Sequence, residues 1–224
     1  DDTPFDQKNG KHRIIIVTDC SEKNERLRRM IIDFRKAFPY ESHVVNLRKF
    51  AFLGGCMGCF HCASDGECVY KDGFDELLRG KIQRADSIVY AFSIKDHSMG
   101  TVFKTYDDRQ FCNGHRTVTM GKPTAYLIDG EFSQEKNLQM ILEARSQVGG
   151  NFLAGIATNE GVGADSTKTC ADKLAYALTH RIRVNRNFYG VGGMKIFRDL
   201  IFEMQGMMRA DHKFYKAHHL YDFP

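Results

Sequence analysis

No stretch of these 224 residues stays apolar over a transmembrane length, and none has the charged, apolar and small-residue layout of a signal peptide. A membrane partner and a secretory leader are therefore not expected. The chain also lacks a long run of one charge. Its 32 Lys and Arg stand against 28 Asp and Glu, a net +4 with the two signs interspersed. Nucleic-acid binding usually shows as a basic stripe, so nucleic acid is not an expected partner. The serine-hydrolase elbow, the P-loop pattern and the zincin helix motif are all missing. No internal repeat or low-complexity linker divides the chain, and its length suits one well-cored domain with an extension. Seven cysteines, odd in number and clustered, do not make a disulfide framework; they suit a reducing compartment, and cytoplasm is the expected location.

Four of those cysteines, Cys56, Cys59, Cys62 and Cys68, lie in the loop 54–69, spaced C-x2-C-x2-C-x5-C. Soft thiolates this close, among small and turn-forming residues, can point at one object, and they suit zinc or an iron–sulfur cluster. Short two-residue spacers let one loop wrap several corners of a cubane. A structural zinc ribbon splits its ligands into two separated knuckles, and the second is missing here. Against ligation stands the plain reading of free thiols with one regulatory disulfide. His61 is an alternative ligand inside the loop. Cys20, Cys112 and Cys170 have no partner spacing and read as plain thiols.

Elsewhere the apolar pattern alternates between two periods. Ile14 to Val17 form a β-branched run typical of a strand buried on both faces. Leu27, Met30, Ile31 and Phe34 then recur at helical spacing up to Pro39. Further strands are expected at 43–47, 87–92, 123–128 and 152–157. Helices are expected after Asp72, over 101–111, around Leu138 to Ala144 and over 171–182. Five alternations predict an open parallel sheet with helices on both faces. Such sheets bind ligands outside the carboxyl ends of their strands, where loops 18–24, 93–100 and 129–133 and the cysteine loop are all expected. Residues 1–11 read as an arm. Residues 185–224, with Gly190, Gly192, Gly193 and an apolar set from Met194 to Met204, read as an amphipathic helix and a surface tail, an oligomerising extension of the domain 12–184.

Over residues 12–182 the chain resembles the flavodoxin-like NAD(P)H-dependent FMN reductases, in particular their iron–sulfur flavoprotein branch. The cysteine cluster followed by Asp72 and a helix carries the likeness, with Lys104, the pair Asp108-Arg109, and Gly121-Lys122-Pro123. The segment GVGGMKIFRD and the ending YDFP look like a subgroup feature. The phosphate loop departs from the family's S-P-R-x-x-x-N-T. Thr18 stands for the Ser and Asn24 keeps the Asn, but Cys20 holds the Arg position and Glu25 that of the Thr. After the third strand the family's Pro-x-Tyr is Ser93-Ile94-Lys95.

The resemblance implies FMN and a [4Fe–4S] cluster. FMN phosphate would meet Thr18, Ser21, Lys23 and Asn24 at the first helix start. Its ring would lie between Ser93, Ile94, Lys95 and His97 on one side and Asp129, Gly130 and Glu131 on the other. Gly130 would allow close backbone approach, and Lys95 or His97 would tune the N1 edge. Cys56, Cys59, Cys62 and Cys68 would hold the cluster. The implied activity is electron transfer from NAD(P)H or ferredoxin through FMN to an unknown acceptor, in a homo-oligomer, with no side-chain nucleophile. Two alternatives stand beside it: a flavin-only reductase with empty or zinc-bound cysteines, and a flavin-less interaction or sensor module.

Overall fold

Ile14, Ile15, Ile16 and Val17 lie at the centre of the molecule. A computed structural model, describing residues 9–113, 115–116, 118–160 and 165–222, leaves each of the four at most 1% exposed. They sit in strand β1 (Asn9–Thr18). Ile14 and Ile16 pack with Leu27, Phe34 and Leu174, whereas Ile15 and Val17 pack with Phe74, Phe103 and Leu142. Successive side chains thus point into two separate cores, so the run is apolar throughout rather than alternating.

β2 (Tyr40–Asn46), β3 (Ser87–Ser93), β4 (Thr124–Asp129) and β5 (Leu153–Thr158) join β1 in one sheet. Every pairing is parallel, and the order is β2-β1-β3-β4-β5. This is the flavodoxin-like order, as expected. α1 (Glu25–Ala37) and α6 (Asp165–His180) cover one face. The other carries α3 (Phe74–Glu76, continuing as a π-helix over Leu77–Ile82), α4 (Gly100–Arg109) and α5 (Lys136–Val148). Because each helix returns the chain for another parallel strand, α4 runs from the carboxyl edge of the sheet toward the amino edge. The expected arm is shortened, since β1 already begins at Asn9 and only residues 1–8 lie outside the described part.

The extension forms two helices where one was expected. α7 (Phe188–Glu203) lies against the end of α5. A Cβ at Gly190 would stand 2.7 Å from the Gln147 carbonyl, and one at Gly193 would stand 2.9 Å from the Val148 methyls. Glycine spaced one helical turn apart is what lets the helices touch. α8 (Arg209–Ala217) returns to the short α2 (His61–Asp65), which lies inside the cysteine loop. Ala63, Ile201, Met208 and Tyr215 close a third, small core there. The segment expected as a surface tail is therefore packed onto the cysteine loop, because Tyr215 and Met208 fill a hollow that α2 alone cannot close. Phe223 and Pro224 of the YDFP ending lie outside the described residues.

Candidate functional site

At the carboxyl edge, α1 begins directly after β1. The Thr18 hydroxyl accepts the Cys20 N–H at 3.1 Å, so this side chain is spent inside the loop. Asn24 caps α1 through its Oδ1, which accepts the Leu27 N–H at 3.0 Å. Its Nδ2 donates to Ser93 Oγ at 2.6 Å and to Asp129 Oδ2 at 3.0 Å. Ser93 Oγ also donates to Asp129 Oδ2, and Asn159 Nδ2 donates to Asp129 Oδ1 at 2.6 Å. Arg26 Nε lies 3.1 Å from that same oxygen. Asp129 is only 4% exposed. Burial pushes its carboxyl up, but Asn159, Asn24, Ser93 and Arg26 outweigh that and hold it below the usual range. One ionised side chain thereby ties together the ends of β3 and β4, the start of α1 and the loop after β5. Asn159 was not singled out from the sequence, since a lone Asn after a strand has no distinguishing pattern.

Beside this network the backbone N–H groups of Ser21, Glu22 and Lys23 make no hydrogen bond among the described residues. They lie at the positive end of a 13-residue helix, an arrangement that receives oxyanions. Glu25 does not oppose this. Its side chain is 84% exposed and turned to Arg28 at 3.7 Å. Asp19 is the adverse group: burial pushes its carboxyl up, while Arg48 and Lys95 pull it the other way. Cys20 is also raised, by burial and then by Asp19, so it stays a neutral thiol. Three open amides, the Ser21 hydroxyl and nearby Lys23, Arg48 and Lys95 make a donor set that fits a phosphate monoester.

The two loops expected around a ring meet each other. Lys95 and Ser98 exchange backbone hydrogen bonds of 2.8 and 2.9 Å across Asp96 and His97. Both central residues have positive φ, 49° and 58°, a tight reverse turn that non-glycine residues seldom adopt. His97 projects outward, 91% exposed, with Nδ1 3.1 Å from a Glu135 carboxylate oxygen. Gly130 has φ 137°, and a Cβ there would lie 3.0 Å from Ile94 Cβ. The close approach that Gly130 permits is thus made by Ile94, not left to a ligand. Glu131 is exposed and begins the turn over Phe132–Gln134.

The cysteine loop is held by three arginines. Arg109 Nη1 donates to the Gly54 carbonyl at 2.9 Å. Arg116 Nη2 donates to the Cys62 carbonyl at 3.0 Å, and Arg79 Nη2 to the Gly66 carbonyl at 2.6 Å. Arg109 is itself fixed by a buried, two-pronged pair with Asp72, both bonds 2.9 Å. Arg116 is fixed by Asp211 of α8 at 2.9 Å, which also accepts His115 Nδ1 at 3.0 Å. Gly58, Phe60 and Gly66 all have positive φ, so the loop reverses repeatedly. The N–H groups from Gly55 to Cys59 donate to nothing among the described residues, and such amides are what cluster sulfurs accept. Cys62 is pushed up to about 11, by burial first and then by Asp211 and the other three cysteines. Ionised together they would repel, and a cationic centre removes that cost. Among the described residues no three Cys, His, Asp or Glu side chains converge as a ready shell for one ion. The donor chemistry, the open amides and the arginine clasp fit a cluster held by Cys56, Cys59, Cys62 and Cys68. His61 is engaged elsewhere, by the Glu67 carbonyl at 2.9 Å and Asp65 at 3.5 Å.

One placement differs from expectation. The cysteine loop does not share the carboxyl edge. Its bonded partners Arg109, Phe111 and Arg116 stand at and beyond the far end of α4. The chain runs down from β2 past Phe50 and Phe52, whose rings meet Phe74 edge-on and tilted respectively, before the cysteines begin. The two regions are separated by the length of α4, about 15 Å for ten residues. Arg79 and Arg116 went unnoticed in the sequence because nothing in their spacing marks them. Arg109 and Lys104 are ion-pairing residues as expected, Lys104 with Asp108.

No family model matches the chain. Over 170 residues it is 27% identical to the iron-sulfur flavoprotein of Archaeoglobus fulgidus, covering 72% of this chain and 77% of that one. Among solved structures, a flavone reductase superposes with a TM-score of 0.57 at 14% identity, covering 78% of this chain and 66% of that one. The NAD(P)H:quinone oxidoreductase of Methanothermobacter marburgensis superposes with a TM-score of 0.51 at 15% identity, covering 79% and 99%. The resemblance read from the cysteine loop and its neighbours is thus supported by a sequence relative as well as by the fold.

Proposed function

We propose that this chain is a flavin-dependent oxidoreductase of the FMN-reductase kind that also carries a [4Fe–4S] cluster on Cys56, Cys59, Cys62 and Cys68. It takes electrons from a reduced nicotinamide or a ferredoxin and passes them to an acceptor. The observation that carries this reading is the pairing of an open anion nest at the start of α1 with a four-thiol loop clasped by arginines. Support for the redox class comes from the names of the similar proteins, an iron-sulfur flavoprotein and two reductases. When bound, the flavin accepts electron pairs and the cluster handles single electrons.

The chain's own residues have defined tasks in this reading. Ser21, Glu22 and Lys23 present amides to the phosphate, with the Ser21 hydroxyl and Lys23 beside them. Asn24 and Ser93 are positioning residues, holding the nest against Asp129. Lys95 stands where it supplies positive charge to the ring edge, while His97 is drawn toward Glu135 and takes no part. Ile94 and Gly130, packed on each other, form an apolar wall between the two loops. Arg79, Arg109 and Arg116 fix the loop carbonyls and offset the negative charge of the thiolate set. The exposed face of α7, with Phe188, Ile196 and Phe202, suits contact with a second copy, consistent with an oligomer.

Anaerobic purification after growth with iron and riboflavin, followed by flavin, iron and sulfide analysis, tests the proposal. The expected result is one FMN and four iron atoms per chain, with flavin bleached by NADH or NADPH. Flavin without iron would leave a flavin-only reductase. Neither flavin nor iron would remove the redox reading altogether.

A further inference from the structure

The amino edge of the sheet, opposite the flavin edge, holds a cleft of about 1000 Å³. It opens where β1, β3 and β4 begin and where α5 and α6 end, and α7 forms its outer wall. Seven lysine and arginine side chains line it against one aspartate, Asp86. That aspartate is already engaged, its Oδ2 accepting the Arg13 N–H at 2.8 Å. Lys195 and Arg198 share Asp199, which lessens their charge toward the cleft. Arg181 and Arg183 have no carboxylate at ion-pairing distance among the described residues. They lie on the segment that leaves α6 through a positive φ of 49° at Arg181. Gathering like charges raises the energy of the folded chain unless an anion answers them.

The cleft is not uniformly polar. Val148, Leu178, Ile182, Val191 and Met194 also line it. The wall is rigid on one side, because Gly190 and Gly193 seat α7 directly on Gln147 and Val148. Planar guanidinium groups suit phosphate oxygens in two-pronged fashion, and an apolar wall suits a flat base. The volume is at the upper end of ordinary small-molecule sites.

We propose that this cleft binds a nucleoside polyphosphate, with the phosphates against Arg181 and Arg183 and the base against Leu178, Val148 and Met194. Binding at this cleft does not depend on the flavin reading, whereas the effector role given to it rests on that reading. The shortest strands have six residues, so the two edges lie about 20 Å apart. A ligand here is too far to exchange hydride with the flavin edge, so it acts as an effector and not as the electron donor.

Equilibrium dialysis of the holoprotein against labelled ATP, adenosine and tripolyphosphate tests this. The expected result is saturable binding of one ATP per chain, tighter than that of either fragment. The double variant Arg181→Glu/Arg183→Glu should bind about tenfold or more weakly, with flavin and iron per chain unchanged. Where charge reversal disturbs the thermal melt, Arg183→Gln alone provides the comparison. Arg29→Glu, on the exposed side of α1, should leave ATP binding as it was. No ATP binding at millimolar concentration would overturn the proposal. So would equal weakening by Arg29→Glu, or tripolyphosphate binding as tightly as ATP. A preparation without flavin would defeat the redox reading while leaving this binding assay intact.

Discussion

Replacing Arg109 by Met tests what holds the cysteine loop. Arg109 and Asp72 are 1% and 2% exposed, and their pair is two-pronged. Met keeps the aliphatic stem beneath Tyr70 and Phe74, whose rings the guanidinium covers at 4.6 and 4.9 Å. What it removes is the charge. In the native chain, burial pushes the Asp72 carboxyl up, but Arg109 and the Leu53 and Phe74 N–H groups outweigh that and hold it below the ordinary range. Without Arg109 the buried carboxylate keeps only the two amides. Its penalty is capped by the cost of protonating it, which from an unfolded pKa near 3.9 to pH 7 is about 4 kcal/mol. Breaking a buried pair costs about 3–5 kcal/mol in general, so the two routes agree.

The sign of the pH dependence separates this cause from lost packing. In the native chain the folded carboxyl titrates lower than the unfolded one, so its contribution is complete above about pH 4 and is lost only below that. In Arg109→Met the folded carboxyl titrates higher than the unfolded one, so the variant gains stability as pH falls from 7 toward about 4. Urea unfolding followed by far-UV circular dichroism, which suits a chain without Trp, should show a deficit of about 3–4 kcal/mol at pH 7 that narrows markedly at pH 4.5. Adding Asp72→Asn should recover much of the loss. A deficit below about 1 kcal/mol, or one equal at both pH values, would refute the reasoning.

Further outcomes follow from other contacts. Asp129→Asn should lower stability at pH 7 by about 1–3 kcal/mol and flatten the acid limb below about pH 4, read as urea midpoints across pH. The native Asp129, held below its ordinary range, gives its full contribution above that point and loses it on further acidification. Gly190→Ala, whose Cβ would meet the Gln147 carbonyl, should cost about 1–3 kcal/mol by thermal melt. Gly192→Ala meets nothing within 4 Å in the same helix and should instead gain about 0.5–1 kcal/mol. Cys59→Ser should lower iron per chain in anaerobic preparations, while Cys170→Ser, buried on the far face among Ala171 and Leu174, should not.

The sheet was legible because it is built from short-range pattern. Ile14 to Val17 announces a strand covered on both faces, and Leu27 to Phe34 announces its helix, with no tertiary information needed. The cysteine spacing is local too, which is why it stands out as a candidate ligand set in the sequence. The geometry of the candidate phosphate loop was readable only in part. Position in the fold indicated residues 18–24, but that Glu25 swings to Arg28, and that Gly130 makes room for Ile94, are facts of side-chain direction. α8 was missed because its apolar face, Tyr215 with Met208 just before it, is too sparse to stand out among His, Lys and Tyr.

The arginine clasp shows why the conformation of the cysteine loop could not be read from the sequence. A segment without helix or strand must place its carbonyl groups somewhere. Here Gly54, Cys62 and Gly66 give theirs to side chains 55, 54 and 13 positions away. Each donor is in turn oriented by another element: Asp72 before α3 for Arg109, Asp211 on α8 for Arg116, and Asp75 within 3.9 Å of Arg79. The order of the cysteine loop is therefore a product of the whole lower half of the molecule, including the last helix. The residues that stand out in the sequence are the four cysteines. The residues that order their loop are scattered over a stretch from Asp72 to Asp211, and only the fold brings them together.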